Sequence, residues 1–241
     1  MLTSQNFGSY VTVVAFHPTK NLVASCSSDK SVKLWNADTG AELWTVRGEK
    51  PIQCLAFSRN GRILAAGDGW VPSGKDYSIR FYDAESGTQI GCPLSCDSRV
   101  SSIDWHDNRI VAGCEDGTIK VFDAQSGVRL STVRGEKQIN SVAFSPDGSL
   151  IAAGDGGLFE AGTIRLYNAA TGDPFGSPLK VGGDVPSIDF APCGNKFAIA
   201  CNNYLSSSYS VQIFSQDGST GNFACQSTLT GHTGPCHGRL L

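Results

Sequence analysis

The 241-residue sequence has little charge and no long apolar run. Only 17% of the residues are Asp, Glu, Lys or Arg, whereas 40% are hydrophobic, and this balance excludes a disordered chain. The net charge is −3 and no cluster of Lys or Arg occurs, so we expect no direct contact with nucleic acid. No apolar stretch reaches the roughly 18 residues that a membrane helix needs, and residues 1–10 are polar. We therefore expect neither a membrane span nor a secretory signal.

Features of secreted proteins are also missing. The sequence contains no Asn-x-Ser/Thr acceptor, and its nine cysteines are an odd number. Most of them lie inside apolar, strand-like runs, as Cys26, Cys54, Cys114 and Cys201 do. Free thiols in a reducing compartment fit this pattern best, so the expected location is the cytoplasm, with a nuclear or cytoskeletal position left open.

Signals for chemistry are sparse. The four histidines lie mostly at expected turns or in the tail, and no third group is identifiable that would complete a Ser/His/Asp arrangement. Cys92 with Cys96, and Cys236 with His237, could bind zinc, but no second pair with matching spacing accompanies them. The glycine-rich segment 154–157 lacks the Lys-Ser/Thr pair of a phosphate-binding loop. We expect no enzyme activity, cofactor, metal or small-molecule substrate.

An internal repeat dominates what is present. Two series of segments, each ending in or containing an aromatic residue, alternate along the chain. The first series is 13–16, 54–57, 102–105, 141–144 and 187–190, with intervals of 41, 48, 39 and 46 residues between the aromatics. The second series is 32–36, 79–83, 119–123, 164–168 and the weaker 211–215. Five units of one kind are therefore predicted, at about 11–47, 51–94, 99–134, 138–180 and 184–230.

Each unit contains four short runs that are typical of β-strands. In the first unit they are residues 11–16, 22–27, 31–36 and 41–46, each rich in β-branched or aromatic residues. Gly, Asp, Asn and Ser separate the runs, and 28 glycines without a triplet period indicate many tight turns. A four-stranded antiparallel meander of this kind exposes apolar side chains on both faces, so it must stack on the next copy. The expected fold class is all-β, a single β-propeller domain over residues 1–241 with about five complete blades.

The repeat units resemble those of the WD-repeat family. Asp29 with Trp35, the segment 116–123, the segment 142–148 and the segment 229–235 are similar to the family's turn, strand and linker positions. The resemblance covers about residues 8–235, and it implies a propeller that binds other proteins and has no chemistry of its own. It also implies structural roles within blades for eight residues: Asp29, Trp35, Tyr82, Asp116, Phe122, Tyr167, Phe214 and His232.

Two departures from the family pattern matter. Gly48-Glu49 and Gly135-Glu136 stand where the family has Gly-His, so only His232 matches that histidine, and the blades should be held mainly by packing. Known members usually have about seven blades, whereas five complete units are countable here, with residues 231–241 as the start of a truncated further unit. Either the ring closes with five blades, or the chain is a truncated piece whose missing blades lie beyond the given sequence or in another chain. We favour an incomplete or unusual propeller, whose open edge seeks a partner strand.

The candidate binding site lies where the repeats lengthen. The connection between the second and third strands is widened by residues 70–76, 158–161 and 203–208. In the family this connection shares a rim with the linkers between blades. The candidate protein-binding residues are Trp70, Lys75, Phe159, Tyr204, Glu49, Lys50, Glu136 and Lys137. The aromatics could anchor a partner, or each could fold back onto its own blade, and both interpretations stay open.

The expected function is a scaffold or adaptor within a multi-subunit complex. The alternative is a structural subunit of a large cytoskeletal, ciliary or ribonucleoprotein assembly. A propeller enzyme is the weakest of the three interpretations.

Overall fold

The computed structural model describes residues 9–69, 76–157 and 160–235, and in these ranges it contains twenty β-strands and no helix. The strands form five separate sheets of four strands each. We call the sheets blades 1 to 5 in chain order.

The strands of blades 1 and 2 are β1 (Val11–Phe16), β2 (Leu22–Ser27), β3 (Ser31–Asn36), β4 (Glu42–Arg47), β5 (Ile52–Phe57), β6 (Ile63–Asp68), β7 (Tyr77–Asp83) and β8 (Gln89–Cys96). Those of blades 3 and 4 are β9 (Val100–His106), β10 (Arg109–Cys114), β11 (Thr118–Asp123), β12 (Arg129–Arg134), β13 (Ile139–Phe144), β14 (Leu150–Asp155), β15 (Thr163–Asn168) and β16 (Pro174–Lys180). Blade 5 consists of β17 (Asp184–Phe190), β18 (Lys196–Asn203), β19 (Ser208–Gln216) and β20 (Phe223–His232).

Every blade is an antiparallel meander whose spatial order follows the chain. The turn after the third strand shows how the sequence specifies this. The carboxylate of Asp83 accepts hydrogen bonds from the N–H groups of Glu85 and Ser86, and Gly87 then adopts a φ of 71°. Asp123 and Asn168 organise the corresponding turns of blades 3 and 4 in the same way. A short acceptor side chain followed by a left-handed glycine reverses the chain into the outer strand.

Hydrophobic packing joins each blade to the next. Four clusters of buried side chains lie between blades 1 and 2, 2 and 3, 3 and 4, and 4 and 5. The first strands pack in the same order, β1 on β5, β5 on β9, β9 on β13 and β13 on β17. In the described part of the chain no such cluster joins blade 5 to blade 1. The propeller architecture with five complete blades is thus confirmed, and the blades form an open arc.

The first strands surround a central channel. In each of them the register with the second strand shifts near its beginning, which is the mark of a β-bulge. The residues at these irregularities are Thr12, Gln53, Ser101, Asn140 and Pro186. They turn toward the axis and, together with neighbouring residues, line a cavity of ≈ 530 Å³. The repeat therefore places five different side chains at one position around the channel.

The observed strands follow the predicted units closely. Three strands of blade 1 have the expected bounds, and the fourth is Glu42–Arg47 rather than 41–46. β20 extends through Gly231 and His232, two residues into the segment in which we expected a further unit to begin, and residues 236–241 lie outside the described part. Within the described ranges no helix is long and apolar enough to cross a membrane.

Candidate functional site

Two lysines connect the linkers between blades to the widened loops. The Nζ atom of Lys50, in the linker before blade 2, donates a hydrogen bond to the backbone carbonyl of Asp76. The same ammonium lies 4.8 Å from the ring centroid of Tyr77, within the range of a cation–π contact. Lys50 therefore fixes the end of the loop that joins β6 and β7.

Lys137 occupies the equivalent position before blade 4 and makes equivalent contacts. Its Nζ atom donates to the carbonyl of Ala161 at 2.8 Å and pairs with Glu160 at 3.0 Å. Both lysines thus join a linker between blades to a widened loop. We call this surface the loop rim, formed by residues 48–51, 76–77, 135–138, 160–162 and 203–208.

Buried carboxylates support the loop rim in blades 2 and 4. Asp68 is 0% exposed, and it accepts hydrogen bonds from the N–H and the hydroxyl of Ser78, both at 2.9 Å, and from Arg80 at 2.5 Å. In blade 4, Asp155 accepts from the N–H of Thr163 at 2.7 Å and pairs with Arg165. A buried charge is stable only when it is paired and hydrogen-bonded, and each of these carboxylates is.

Arg165 also reaches the rim itself. Its second terminal nitrogen lies 2.9 Å from the carboxylate of Glu136, which holds that exposed side chain in place. Glu49, the equivalent residue before blade 2, is exposed. We did not predict Asp68 and Asp155 as structural residues, although both follow a repeated Ala-Ala-Gly segment that could have identified them.

In blades 1 and 3 the second and third strands are joined by tight turns. There the predicted residues Asp29 and Asp116 accept the corresponding hydrogen bonds. Asp29 accepts from the N–H of Ser31 at 2.9 Å and from its hydroxyl at 2.5 Å, and these hydrogen bonds lower the pKa of Asp29. Asp116 accepts from the N–H and the hydroxyl of Thr118 at 3.0 and 2.6 Å. The second and third strands of all four blades are therefore joined through an aspartate.

The predicted aromatic residues of the third strands pack between blades in blades 2 to 5, whereas Trp35 of blade 1 is half-buried. Trp35 donates its indole N–H to the hydroxyl of Ser25 at 2.8 Å. The side chains at the equivalent positions of the other blades are buried: Tyr82, Phe122, Tyr167 and Phe214. His232, by contrast, is exposed at the end of β20, opposite Tyr209 in the register.

Of the candidate anchor residues in the widened loops, only Tyr204 lies among the described residues. Trp70, Lys75 and Phe159 lie outside the described residues. Tyr204 is half-buried, its ring meets that of Tyr209 edge to face at 6.1 Å, and its hydroxyl accepts from Asn202 at 3.4 Å. Burial raises the pKa of Tyr204. Tyr204 therefore folds back onto its own blade, and its neighbour Leu205, which we did not predict, is 73% exposed on the loop rim.

The mouth of the central channel is polar. Asn140 donates to the carboxylate of Asp184 at 2.5 Å and to the carbonyl of Gly156 at 3.1 Å. Arg99 also lines the channel and lies 3.8 Å from Glu115, and among the described residues its Nε atom has no hydrogen-bond partner. This arrangement can hold a polar side chain.

Two of the described histidines, His17 and His106, are buried. The Nδ1 atom of buried His17 accepts hydrogen bonds from the N–H groups of Thr19 and Lys20, which fixes a turn. Across residues 9–69, 76–157 and 160–235, no group of three or more His, Cys, Asp or Glu side chains could hold a metal ion.

Known proteins resemble this chain in both sequence and fold. The family described as "WD domain, G-beta repeat" matches residues 2–36, 40–83, 88–123 and 127–168. Serine-threonine kinase receptor-associated protein of Gallus gallus is 30% identical over 153 residues, which are 62% of this chain and 40% of that protein. Nuclear distribution protein PAC1 of Arthroderma benhamiae is 29% identical over 178 residues, which are 68% of this chain and 37% of that protein.

A solved structure extends the likeness to nearly the whole chain. A chain in the crystal structure of the mitotic checkpoint complex superposes with a TM-score of 0.81 at 21% identity. The match covers 98% of this chain and 70% of that chain. This chain thus spans less than half of the length of the two relatives above. The repeated sequence, the five blades and the family match together show that this chain belongs to the WD-repeat family.

Proposed function

We propose that this protein is a non-catalytic scaffold that binds another protein on the loop rim. The observation that carries the proposal is the pair of equivalent lysines, Lys50 and Lys137, each of which fixes a widened loop against a linker between blades. A surface that is held in place before binding loses less entropy when a partner docks. The buried side chains of blades 2, 3 and 4 pack against neighbouring blades.

The exposed groups on the rim suit a protein partner. Leu205 offers an apolar contact, and Glu49 and Glu136 offer charged ones. Binding sites for proteins commonly combine an apolar centre with a polar border. Two of the similar proteins support this role. The matched structure is that of the mitotic checkpoint complex, an assembly of proteins, and serine-threonine kinase receptor-associated protein is named for its association with a receptor.

Capture of partners from the native source tests the proposal. A variant with Glu49, Lys50, Glu136, Lys137 and Leu205 replaced by Ala should stay folded and should lose the partner that the wild-type chain captures, as identified by mass spectrometry. The matched control replaces Glu85 and Gln125 by Ala, two exposed residues at the opposite end of the blades. Equal capture by the rim variant and the control variant would contradict the proposal.

Replacement of Trp70, Phe159 and Tyr204 by Ala tests the aromatic candidates separately. Because Tyr204 packs on Tyr209, its replacement should loosen the loop between β18 and β19 as well as affect binding. Leu205→Ala changes the same loop without that packing contact, so comparison of the two variants separates loop order from direct contact.

We also propose that the protein works in a reducing compartment such as the cytoplasm. All eight cysteines in the described part of the chain are free thiols, and five of them are buried. Burial raises the pKa of Cys26 to about 11, which keeps that thiol protonated and unreactive at neutral pH. Localisation of a tagged chain by microscopy checks this expectation, and a signal in the secretory pathway would contradict it.

A further inference from the structure

Two grooves of the same construction lie beside the outer strands. The first groove, between blades 1 and 2, has a volume of ≈ 460 Å³, and the second groove, between blades 3 and 4, has a volume of ≈ 260 Å³. Equivalent side chains line them: Arg47, Glu49, Arg80 and Tyr82 in the first groove, and Arg134, Glu136, Arg165 and Tyr167 in the second. The repeat has therefore built one polar groove twice.

In the second groove the chain supplies an anion of its own. One terminal nitrogen of Arg165 pairs with Asp155, and the other lies 2.9 Å from the carboxylate of Glu136. The side chain of Asp155 is 1% exposed, whereas that of Glu136 is 80% exposed. A carboxylate that reaches the groove from the solvent side thus fits this arginine.

The first groove has the same arginine without the second carboxylate. One terminal nitrogen of Arg80 pairs with buried Asp68 at 2.5 Å. Within residues 9–69, 76–157 and 160–235 no carboxylate pairs with the other terminal nitrogen of Arg80, and Glu49 is exposed. The side chains of Arg80 and Arg165 are 16% and 17% exposed, so both can be reached from solvent to the same extent.

Tyr82 adds a second donor to the first groove. Its side chain belongs to the packing between blades 1 and 2, and the residue is 4% exposed. Its hydroxyl makes no hydrogen bond to any described residue, although Tyr82 lines the groove. Polar groups of buried side chains normally have a hydrogen-bond partner. Arg47, which is exposed at the edge of the groove, brings a further positive charge.

We propose that the first groove binds the carboxylate of an Asp or Glu side chain from an extended segment of a partner protein. Arg80 and Tyr82 donate hydrogen bonds to that carboxylate, and Arg47 attracts it. Guanidinium groups match carboxylates in geometry as well as in charge, and a volume of ≈ 460 Å³ is that of an ordinary ligand site.

This site goes beyond the loop rim, with which it shares only residues 48 and 49. It rests on the proposed function only in that the ligand belongs to a protein. An NMR titration with a synthetic peptide therefore tests the groove without the natural partner. If the peptide fails to bind while the chain still captures a partner through the loop rim, the groove proposal is wrong and the proposed function holds.

The probe is the peptide acetyl-Ala-Ala-Glu-Ala-Ala-amide, and its neutral comparison has Gln in place of Glu. When the full chain is titrated, the side-chain Nε–H signal of Arg80 should shift saturably, and at least about fivefold more with the Glu peptide than with the Gln peptide. The signal of Arg165 should stay in place, because Glu136 already pairs with it. In the variant Glu136→Gln, Arg165 should respond to the Glu peptide as Arg80 does.

A pair of matched variants tests the hydroxyl. Tyr82→Phe should keep the fold, since Phe122 and Phe214 are buried at the equivalent position of blades 3 and 5, and it should weaken binding of the Glu peptide about fivefold. Tyr167→Phe makes the same change in the second groove and should leave the response of Arg80 as in the wild-type chain.

Three results would overturn the proposal. The first is an Arg80 signal that does not move, or that moves equally with the Glu and Gln peptides. The second is an equal response of Arg80 and Arg165 in the wild-type chain. The third is binding that appears only in the variant Glu49→Gln, which would show that Glu49 itself fills the first groove in solution.

Discussion

The ammonium of Lys120 lies 2.7 Å from the carboxylate of Asp97, although the lysine side chain is 1% exposed and the aspartate side chain is 71% exposed. Three other blades have a basic residue at the same position of the third strand. Arg80 pairs with Asp68 at 2.5 Å and Arg165 pairs with the equivalent Asp155, whereas Lys33 pairs with Glu42 of the fourth strand at 2.5 Å. The repeat thus fixes the cation, and the position of its carboxylate partner differs between some of the blades.

This relationship predicts unequal effects of removing the two partners. Asp97→Ala leaves a buried ammonium without its carboxylate, so it should lower the free energy of unfolding by about 1–3 kcal/mol. Lys120→Met removes the buried charge and fills similar volume, so it should be close to neutral. Urea unfolding of both variants measures the difference, and an Asp97→Ala variant as stable as wild type would show that water satisfies the lysine.

Gly40 and Gly61 have the same backbone conformation but different surroundings. Replacing each by Ala therefore distinguishes the free-energy cost of a left-handed residue from that of a clash between blades. Gly40 and Gly61 have φ values of 71° and 70°. A Cβ on Gly40 would meet nothing within 4 Å, whereas one on Gly61 would overlap the imidazole of His17 in the neighbouring blade. Gly40→Ala should cost about 1 kcal/mol from the left-handed backbone. Gly61→Ala should cost about 1–3 kcal/mol more, because the contact between blades 1 and 2 must shift.

Chemical denaturation of the two glycine variants tests this expectation. Equal losses in the free energy of unfolding would mean that His17 can move without cost, and that the packing between blades 1 and 2 is looser than the structure shows.

The turns after the third strands predict a dependence on pH. The N–H and hydroxyl of Ser126 lower the pKa of Asp123, so this carboxylate binds its proton less readily in the folded state than in the unfolded one. Its contribution to stability is present above the ordinary Asp pKa of about 3.9 and is lost as the pH falls through the lower folded value.

Asp123→Asn isolates that contribution. Asn168 already organises the equivalent turn of blade 4, so the variant should keep the turn and should unfold much like wild type at pH 7. Below about pH 4 the wild-type chain should lose stability faster than the variant does, as urea midpoints at several pH values would show. Parallel loss in both proteins would assign the acid sensitivity to other groups.

The sequence predicted the strands well because each strand is a short apolar run between explicit turn residues. β1, β2 and β3 have the bounds that the pattern indicated. It did not predict the aspartates of blades 2 and 4, because inserted loops separate donor and acceptor. Asp29 and Ser31 are two residues apart, whereas Asp68 and Ser78 are ten apart. A spacing rule drawn from tight turns fails when the turn lengthens, even though the hydrogen bonds are the same.

The rim that linkers and widened loops share was implied by the resemblance to the WD-repeat family, and antiparallel strands that return to the same end of each blade account for it. Protein binding at this rim stays a prediction. The folding of Tyr204 onto Tyr209 and the exposure of Leu205 depend on side-chain packing within one loop, for which the other blades offer no precedent.

Hydrogen–deuterium exchange of the chain, free and bound to the partner that it captures, tests the central claim most directly. Binding on the loop rim predicts slower exchange in residues 48–51, 135–138, 160–162 and 203–208, with no change in the turns 83–88 and 123–128 at the opposite end of the blades. Protection in those turns, with the loop rim unchanged, would contradict the claim.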